Sequence, residues 1–314
     1  MTPELSFRRQ TRVRWAEVAF WVAAVGCGLL FPSRLGMLNE IAIVGLFALS
    51  LDLILGYAGI ISLGHAAFFG FGAYAAGIAA TSGLGDPLLG LLIAAAASAV
   101  LGFATSFLVL RGSDLTRIVV SLGVAQLLSE LANRLSGLTG GADGLQGMDV
   151  GPVFGVFEFD LAGHVAYAYS LSVLFVLFLL ARRVVASPFG WSVRAVKGNS
   201  LRSAAIGVPV NARLVAIYTI AAAYAGIAGA LLAQTTQFVS LDVLTFQRSA
   251  DVLLMLVIGG SGTLYGGLIG AAVFRVVQDW LSVMTPQYWE FWIGLLLVII
   301  AIVGRNPLRA WRRT

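Results

Sequence analysis

The stretch Gly56-Tyr57-Ala58-Gly59-Ile60-Ile61-Ser62-Leu63-Gly64-His65-Ala66-Ala67-Phe68-Phe69-Gly70-Phe71-Gly72-Ala73-Tyr74-Ala75-Ala76-Gly77 is apolar nearly throughout, yet has glycine at 56, 59, 64, 70, 72 and 77. A helix that only faces lipid has no use for so much glycine, which costs helix stability but allows close backbone approach and helix breaks. Broken helices at membrane depth line a cavity or a substrate site in many transporters. Tight helix packing without any path is the other reading, and both stay open. His65 sits inside the stretch. An ionisable residue within a membrane marks a functional candidate; a neutral His65 bonded to a neighbouring carbonyl is the structural alternative.

The rest of the chain supports a membrane setting. Charged residues are 11% of 314, hydrophobic residues 59%, and mean hydropathy is +0.92. A soluble domain carries roughly 25% charge, so a water-soluble enzyme is excluded. A disordered chain, which needs low hydrophobicity and high charge, is excluded too. The single cysteine, Cys27, rules out a disulfide framework and a multi-cysteine zinc site. Two histidines, His65 and His164, leave no histidine-rich metal centre. The fold class is all-α: a polytopic membrane protein with about ten transmembrane helices, some broken at glycine-rich points.

At 1.5 Å per residue, a bilayer core of about 30 Å needs about 20 apolar residues. Candidate spans lie near 15–31, 38–56, 60–80, 87–110, 116–135, 165–184, 211–234, 249–261, 264–283 and 289–304. The third is rich in small residues, and the eighth is short and ends at Gly259-Gly260. A basic tail, 1–14, precedes this body of 15–304, and another, 305–314, follows it. Ten spans place Arg8, Arg9, Arg12, Arg14, Arg111, Arg117, Arg182, Arg183, Arg194, Lys197, Arg202, Arg213, Arg305, Arg309, Arg312 and Arg313 on one side, which the positive-inside rule makes cytoplasmic. The opposite loop, 137–164, holds Asp143, Asp149, Glu158 and Asp160 and no Lys or Arg. Both termini are therefore expected in the cytoplasm. A cleaved signal peptide is the competing reading of residues 1–31, but no clear small-x-small site follows the apolar run.

A second break is expected at Gly259-Gly260-Ser261-Gly262-Thr263, where Ser and Thr can satisfy freed backbone groups. Arg275 and Asp279, like Glu130 and Arg134, are spaced to pair along one helix. The soluble segment between spans six and seven runs Gly190-Trp191-Ser192-Val193-Arg194-Ala195-Val196-Lys197-Gly198-Asn199-Ser200-Leu201-Arg202-Ser203-Ala204-Ala205-Ile206-Gly207-Val208-Pro209. Val193, Val196, Leu201, Ala204 and Ala205 fall near one face at helical spacing. Gly198 and Asn199 interrupt the pattern, which predicts two short helices with a bend, ended by Gly207 and Pro209. The segment can lie on the anionic leaflet, act as a solvated connector, or dock into a cytoplasmic partner. Lys197 is the chain's one lysine, and its neighbours do not form a phosphate-binding loop. If the protein works with ATP, the ATPase is another chain.

Three motifs resemble the permease subunits of branched-chain amino acid ABC importers, a family that includes urea and amide permeases. They are Ser62 through Tyr74, the segment Gly190–Gly207 with the later run Ala225-Gly226-Ile227-Ala228-Gly229-Ala230, and Gly259 through Gly267. Leu138-Thr139-Gly140-Gly141-Ala142-Asp143-Gly144-Leu145 resembles the longer-chain subfamily. The resemblance implies that 190–207 is a cytoplasmic coupling region seated in an ATPase groove. Gly190, Arg194, Lys197, Gly198, Asn199, Ala204, Ala205 and Gly207 are then the coupling candidates. It implies Ser62, Gly64, His65, Phe68, Phe69, Gly72, Tyr74, Gly259, Gly260, Gly262 and Thr263 as pathway or hinge candidates, and a central cavity among spans two, three, seven and eight. The implied partners are a second, usually non-identical permease chain, two cytoplasmic ATPase subunits, a periplasmic or surface solute-binding protein and the lipid bilayer of the bacterial inner membrane. Nucleic acid is not among them. No cofactor or metal is expected in this chain, because ATP and magnesium go to the ATPases, and no catalytic residue is expected. The sequence departs from the family at Gly198-Asn199-Ser200, where an acidic residue is common, and at Gly267, where proline is common. A urea or amide permease and a stand-alone secondary transporter are the alternative functions. An intramembrane enzyme lacks a carboxylate pair, a Ser-His pair or a metal cluster.

Overall fold

The computed structural model describes residues 15–160, 162–284, 288, 291–292 and 294–295. Both basic tails and most of the tenth predicted span, 289–304, lie outside the described residues. Twelve α-helices form the described part: α1 Trp15–Leu30, α2 Leu35–Asp52, α3 Ala66–Thr81, α4 Pro87–Val109, α5 Asp114–Arg134, α6 Ser136–Thr139, α7 His164–Ala186, α8 Pro188–Gly198, α9 Ser200–Ala205, α10 Val210–Thr236, α11 Phe246–Gly259 and α12 Leu264–Met284. Extended pairing among the described residues is confined to isolated bridges, Leu145 with Val239 and Val153 with Phe157.

Among the described residues, six helical stretches are long and apolar enough to cross a membrane: 32–58, 87–109, 114–134, 164–186, 210–236 and 264–284. Glu17–Leu30 and Ala66–Thr81 are apolar but shorter. The third predicted span is therefore corrected: 59–65 are not helical, and α3 begins only at Ala66. The eighth is a helix of 14 residues, shorter than a bilayer crossing requires.

The second span is the centre of the bundle. Side chains from Ala42 to Ile54 of α2 and its continuation are buried all round the helix, as expected where neighbours enclose a helix that is apolar on every side. α10 packs against α4, α3 and α2. Small residues make that approach possible. A side chain on Gly72 would run into the backbone of Gly226, and one on Gly229 into the carbonyl of Phe69. Ser98 of α4 donates to the Phe68 carbonyl at 3.1 Å across the same seam.

Polar links stitch the other helices. Tyr169 of α7 donates to Gln234 of α10 at 2.9 Å, and Gln234 donates to the Pro87 carbonyl at 2.8 Å. Glu17 of α1 pairs with Arg182 at 2.6 Å, and Trp21 packs edge-on against Phe175 and Phe178. Glu130 and Arg134 pair as the spacing predicts, at 2.7 Å. Arg275 does not pair with Asp279 in the way expected. It meets Glu40 of α2, while Asp279 meets Arg34 at 2.9 Å. Partners on another helix outcompete the local pair because the bundle brings the start of α2 alongside α12.

Candidate coupling site

Three sequence-distant segments meet where α2 ends. After Asp52 the helix widens into one π-helical turn, Leu53–Ala58, and Gly59 takes a left-handed φ of 75°. A π turn inserted in a helix often marks a functional site. Asp52 is fully buried. Its Oδ1 accepts the backbone N–H of Gly262 at 2.7 Å, and its Oδ2 has no partner among the described residues. Gly262 lies in the tight turn 260–263 between α11 and α12, with φ of 83°. Inside that turn Thr263 donates to the Gly260 carbonyl at 3.1 Å. Gly56 has to be glycine, because a side chain there would collide with the Asp52 carboxyl group and with Gly262 N.

Helix α8 reaches the same point from the other side. Lys197 Nζ donates to the Gly56 carbonyl at 2.5 Å. That carbonyl belongs to the turn where the regular helical ladder stops, so the ammonium contributes at a broken helix end. The Arg194 guanidinium lies 4.8 Å from the Tyr57 ring centroid and 5.3 Å from that of Trp191. Val193 and Val196 are buried beneath the helix. Lys197, Arg194, Asp52 and Gly262 thus tie the α8–α9 segment, the α2 break and the α11–α12 turn together.

The segment has the predicted form of two short helices. Ser187 caps α8 by accepting Gly190 N–H at 3.3 Å. Gly190 packs on the Val185 carbonyl. Asn199 caps α9 by accepting Arg202 N–H at 2.9 Å, a good residue type for that position. Gly198 ends α8 with open space around it, and Gly207 has φ of 87°. The expected single apolar face divides in two. Val193 and Val196 face the protein, whereas Leu201 is 82% and Ile206 78% exposed. Ala204, Ala205 and Trp191 are exposed beside them.

The Ser62–Tyr74 motif is packed rather than open. His65 is fully buried, with Nε2 2.8 Å from Ser50 Oγ. Ser50 itself donates to the Phe47 carbonyl, which leaves its lone pairs to take the imidazole N–H. The ring stacks on Phe47 at 5.5 Å and meets the edge of Phe68 at 5.6 Å. Phe68, Phe69 and Tyr74 are buried, and Gly72 and Gly64 touch backbone. The break before α3 is satisfied from neighbouring helices: Leu63 N–H reaches Ser121 Oγ at 3.3 Å and Ala66 N–H reaches Ser249 Oγ at 2.9 Å. Ser62 Oγ is buried without a partner among the described residues. Gly259 packs on Gly266 within the α11–α12 hairpin.

Sequence reasoning left Asp52, Tyr57, Ser121 and Ser249 out of the site candidates. Asp52 had a usable signal, a carboxyl group inside an apolar run. The serines had none, because hydroxyls in apolar helices are common.

A mostly buried central helix, broken neighbours held by cross-helix hydroxyls and helices long and apolar enough to cross a membrane define a polytopic helical membrane protein. The sequence profile described as "Branched-chain amino acid transport system / permease component" matches residues 33–301. The chain belongs to that family of permease components. It is 31% identical over 284 residues to the high-affinity branched-chain amino acid transport system permease protein LivM of Salmonella typhimurium, covering 82% of this chain and 65% of that one. The Escherichia coli LivM is 29% identical over 283 residues with the same coverage. The chain thus spans slightly less than two thirds of these relatives. The L-arabinose ABC transporter permease protein AraH of Azospirillum brasilense is 26% identical over 296 residues, 88% of this chain and 82% of that one. No solved structure matches.

Proposed function

We propose that the chain is the membrane-spanning permease subunit of an ABC importer that moves branched-chain amino acids across the bacterial inner membrane. In this reading the spans are even in number and both termini are cytoplasmic. A second, non-identical permease chain completes the pathway, two ATPase subunits bind ATP and magnesium, and a solute-binding protein delivers cargo on the far side. The chain itself performs no bond chemistry. The LivM relatives favour a branched-chain amino acid as cargo, and the AraH relative shows how far cargo varies at this level of similarity.

One observation carries the coupling role. The α8–α9 element is hooked to the α2 break by Lys197 and Arg194, while Leu201 and Ile206 stand bare on its other side. Large apolar side chains exposed together on a short surface helix mark an interaction surface. In the proposed cycle an ATPase groove covers α9, and closure of the ATPases displaces α8. Lys197 transmits that displacement to Gly56, and Asp52 passes it to the Gly262 turn. The motion matters only because the two states differ in contact energy at both ends.

The test is Arg194→Glu with Lys197→Glu in the assembled transporter. ATP-dependent uptake should fall while the protein still inserts and is recovered at normal yield. Normal uptake by the double variant would reject the coupling role.

A further inference from the structure

At the end of the bundle opposite α8, a cavity of about 590 Å³ opens between α2, α7 and α10. That size falls within the ~300–1,000 Å³ of small-molecule sites. The first turns of α2 and α7 and the last turns of α10 line it, and all three helices run from there toward the coupling end. Its walls are Ile43, Phe159, Ala166 and Leu232, and its polar lining is Asn39, Glu40, Asp160, Thr235, Thr236 and Gln237, with no Lys or Arg among the described residues.

Apart from the amide N–H groups of Asn39 and Gln237, that lining offers mainly acceptors. Thr235 already donates to the Leu231 carbonyl at 2.7 Å, and Thr236 to the Leu232 carbonyl at 2.7 Å. Both hydroxyls therefore offer the cavity only lone pairs. Asn39 Oδ1 is buried with no partner among the described residues. The Asp160 carboxylate accepts Val165 N–H at 3.0 Å and His164 N–H at 3.2 Å, and keeps further lone pairs. The Val165 bond, helped by that of His164, holds Asp160 below the usual carboxylate range, so it is anionic at neutral pH. Glu40 is compensated by Arg275, which leaves Asp160 as the uncompensated negative charge of the lining. The buried Asn39 Oδ1 is costly without a donor, and the exposed Asp160 carboxylate at the mouth attracts positive charge, so the cavity favours a ligand with N–H groups and positive charge.

We infer that this cavity is an entry site for the α-ammonium group of an aliphatic amino acid. Asp160, Asn39 Oδ1 and Thr235 receive the ammonium protons, and Ile43, Ala166 and Leu232 receive the hydrocarbon side chain. With no cation in the lining, the cargo's carboxylate contributes nothing here and stays toward water. The choice of an aliphatic amino acid rests on the importer reading above. The acceptor-rich chemistry does not.

The experiment uses the assembled transporter in lipid nanodiscs without its binding protein, with saturation-transfer NMR of millimolar leucine. Leucine and leucinamide should bind and compete with each other. 4-Methylpentanoate, which lacks the ammonium group, should not compete at tenfold excess. Asp160→Asn should weaken leucine binding about tenfold, the effect of losing one charge-assisted contact. Asparagine keeps one of the two cap acceptors on α7, that for Val165 N–H, so the thermal unfolding temperature should fall only slightly and is measured alongside. Ala166→Leu, which fills the cavity, should abolish the signal. No leucine binding to the wild type, competition by 4-methylpentanoate, or equal binding by both variants would overturn the inference. Leucine uptake with the binding protein restored is measured on the same sample. Uptake without cavity binding refutes the entry site alone. Ammonium-dependent binding without uptake sustains the site and refutes the importer reading.

Discussion

Replacing Asp52 by alanine tests the junction that joins the three motifs. Asp52 is fully buried, and its Oδ1 is the acceptor for Gly262 N–H at 2.7 Å. Alanine removes that acceptor and strands the N–H in a turn whose backbone already sits at left-handed φ at Gly260 and Gly262. An unsatisfied buried polar group costs ~1–3 kcal/mol. Gly262 is only partly buried, so water can offset some of the loss. A cost of about 1–2 kcal/mol corresponds to a factor of about 5–30 in the equilibrium between clamped and released turn. Asp52→Asn keeps a carbonyl oxygen in the same place and should shift it far less. Hydrogen–deuterium exchange across 256–268 reads this directly in the reconstituted protein. Exchange at the turn should rise by about 5–30-fold in Asp52→Ala and by much less in Asp52→Asn. ATP consumed per solute moved should rise in the same order. Wild-type exchange in Asp52→Ala would refute the clamp, and equal effects of alanine and asparagine would refute the role of the acceptor.

Gly64→Ala places a methyl group against the Ser121 backbone, so α5 has to shift; the loss of ~1–3 kcal/mol should appear as a lower unfolding temperature in detergent. An unchanged temperature would mean that the two backbones are not in contact. His65→Phe keeps the stacking on Phe47 and loses only the Ser50 bond, about 1 kcal/mol, whereas His65→Ala also opens a cavity and should cost ~3 kcal/mol or more. Thermal melts of the two variants in the reverse order would reject a packing role for the ring. Asp160 has a depressed pKa from the Val165 and His164 N–H bonds, so its contribution is present above the usual carboxylate value of about 3.9 and lost as pH falls through the lower folded value. The stability gap between wild type and Asp160→Ala should therefore persist at pH 7 and close in acid; a gap that widens in acid would contradict the cap.

What the sequence determined by itself follows from composition and length, which tertiary contacts cannot alter. A charge content of 11% against 59% hydrophobic residues requires a lipid surroundings, and helices satisfy their own backbone there. The cap residues and the 3.6-residue period set most helix ends locally. Asn199 and Gly207 bound the two short helices α8 and α9 as expected, and the Glu130–Arg134 pair formed as read because both partners lie one turn apart. Where contact depends on residues far apart in the chain, no local rule applies. Arg275 turned to Glu40 across 235 positions of chain instead of to Asp279 one turn away. The non-helical stretch 59–65 is stable only because Ser121 and Ser249, on two other helices, receive its N–H groups. The amphipathic face of α8–α9 was visible as a pattern, but only packing decided that Val193 and Val196 turn inward while Leu201 and Ile206 remain bare. The glycine motifs were legible as places where a helix would break. That Asp52 and Lys197 join those breaks to the α8–α9 segment was decided by the tertiary structure, because a hydrogen bond is made by position in space and leaves no period in the chain.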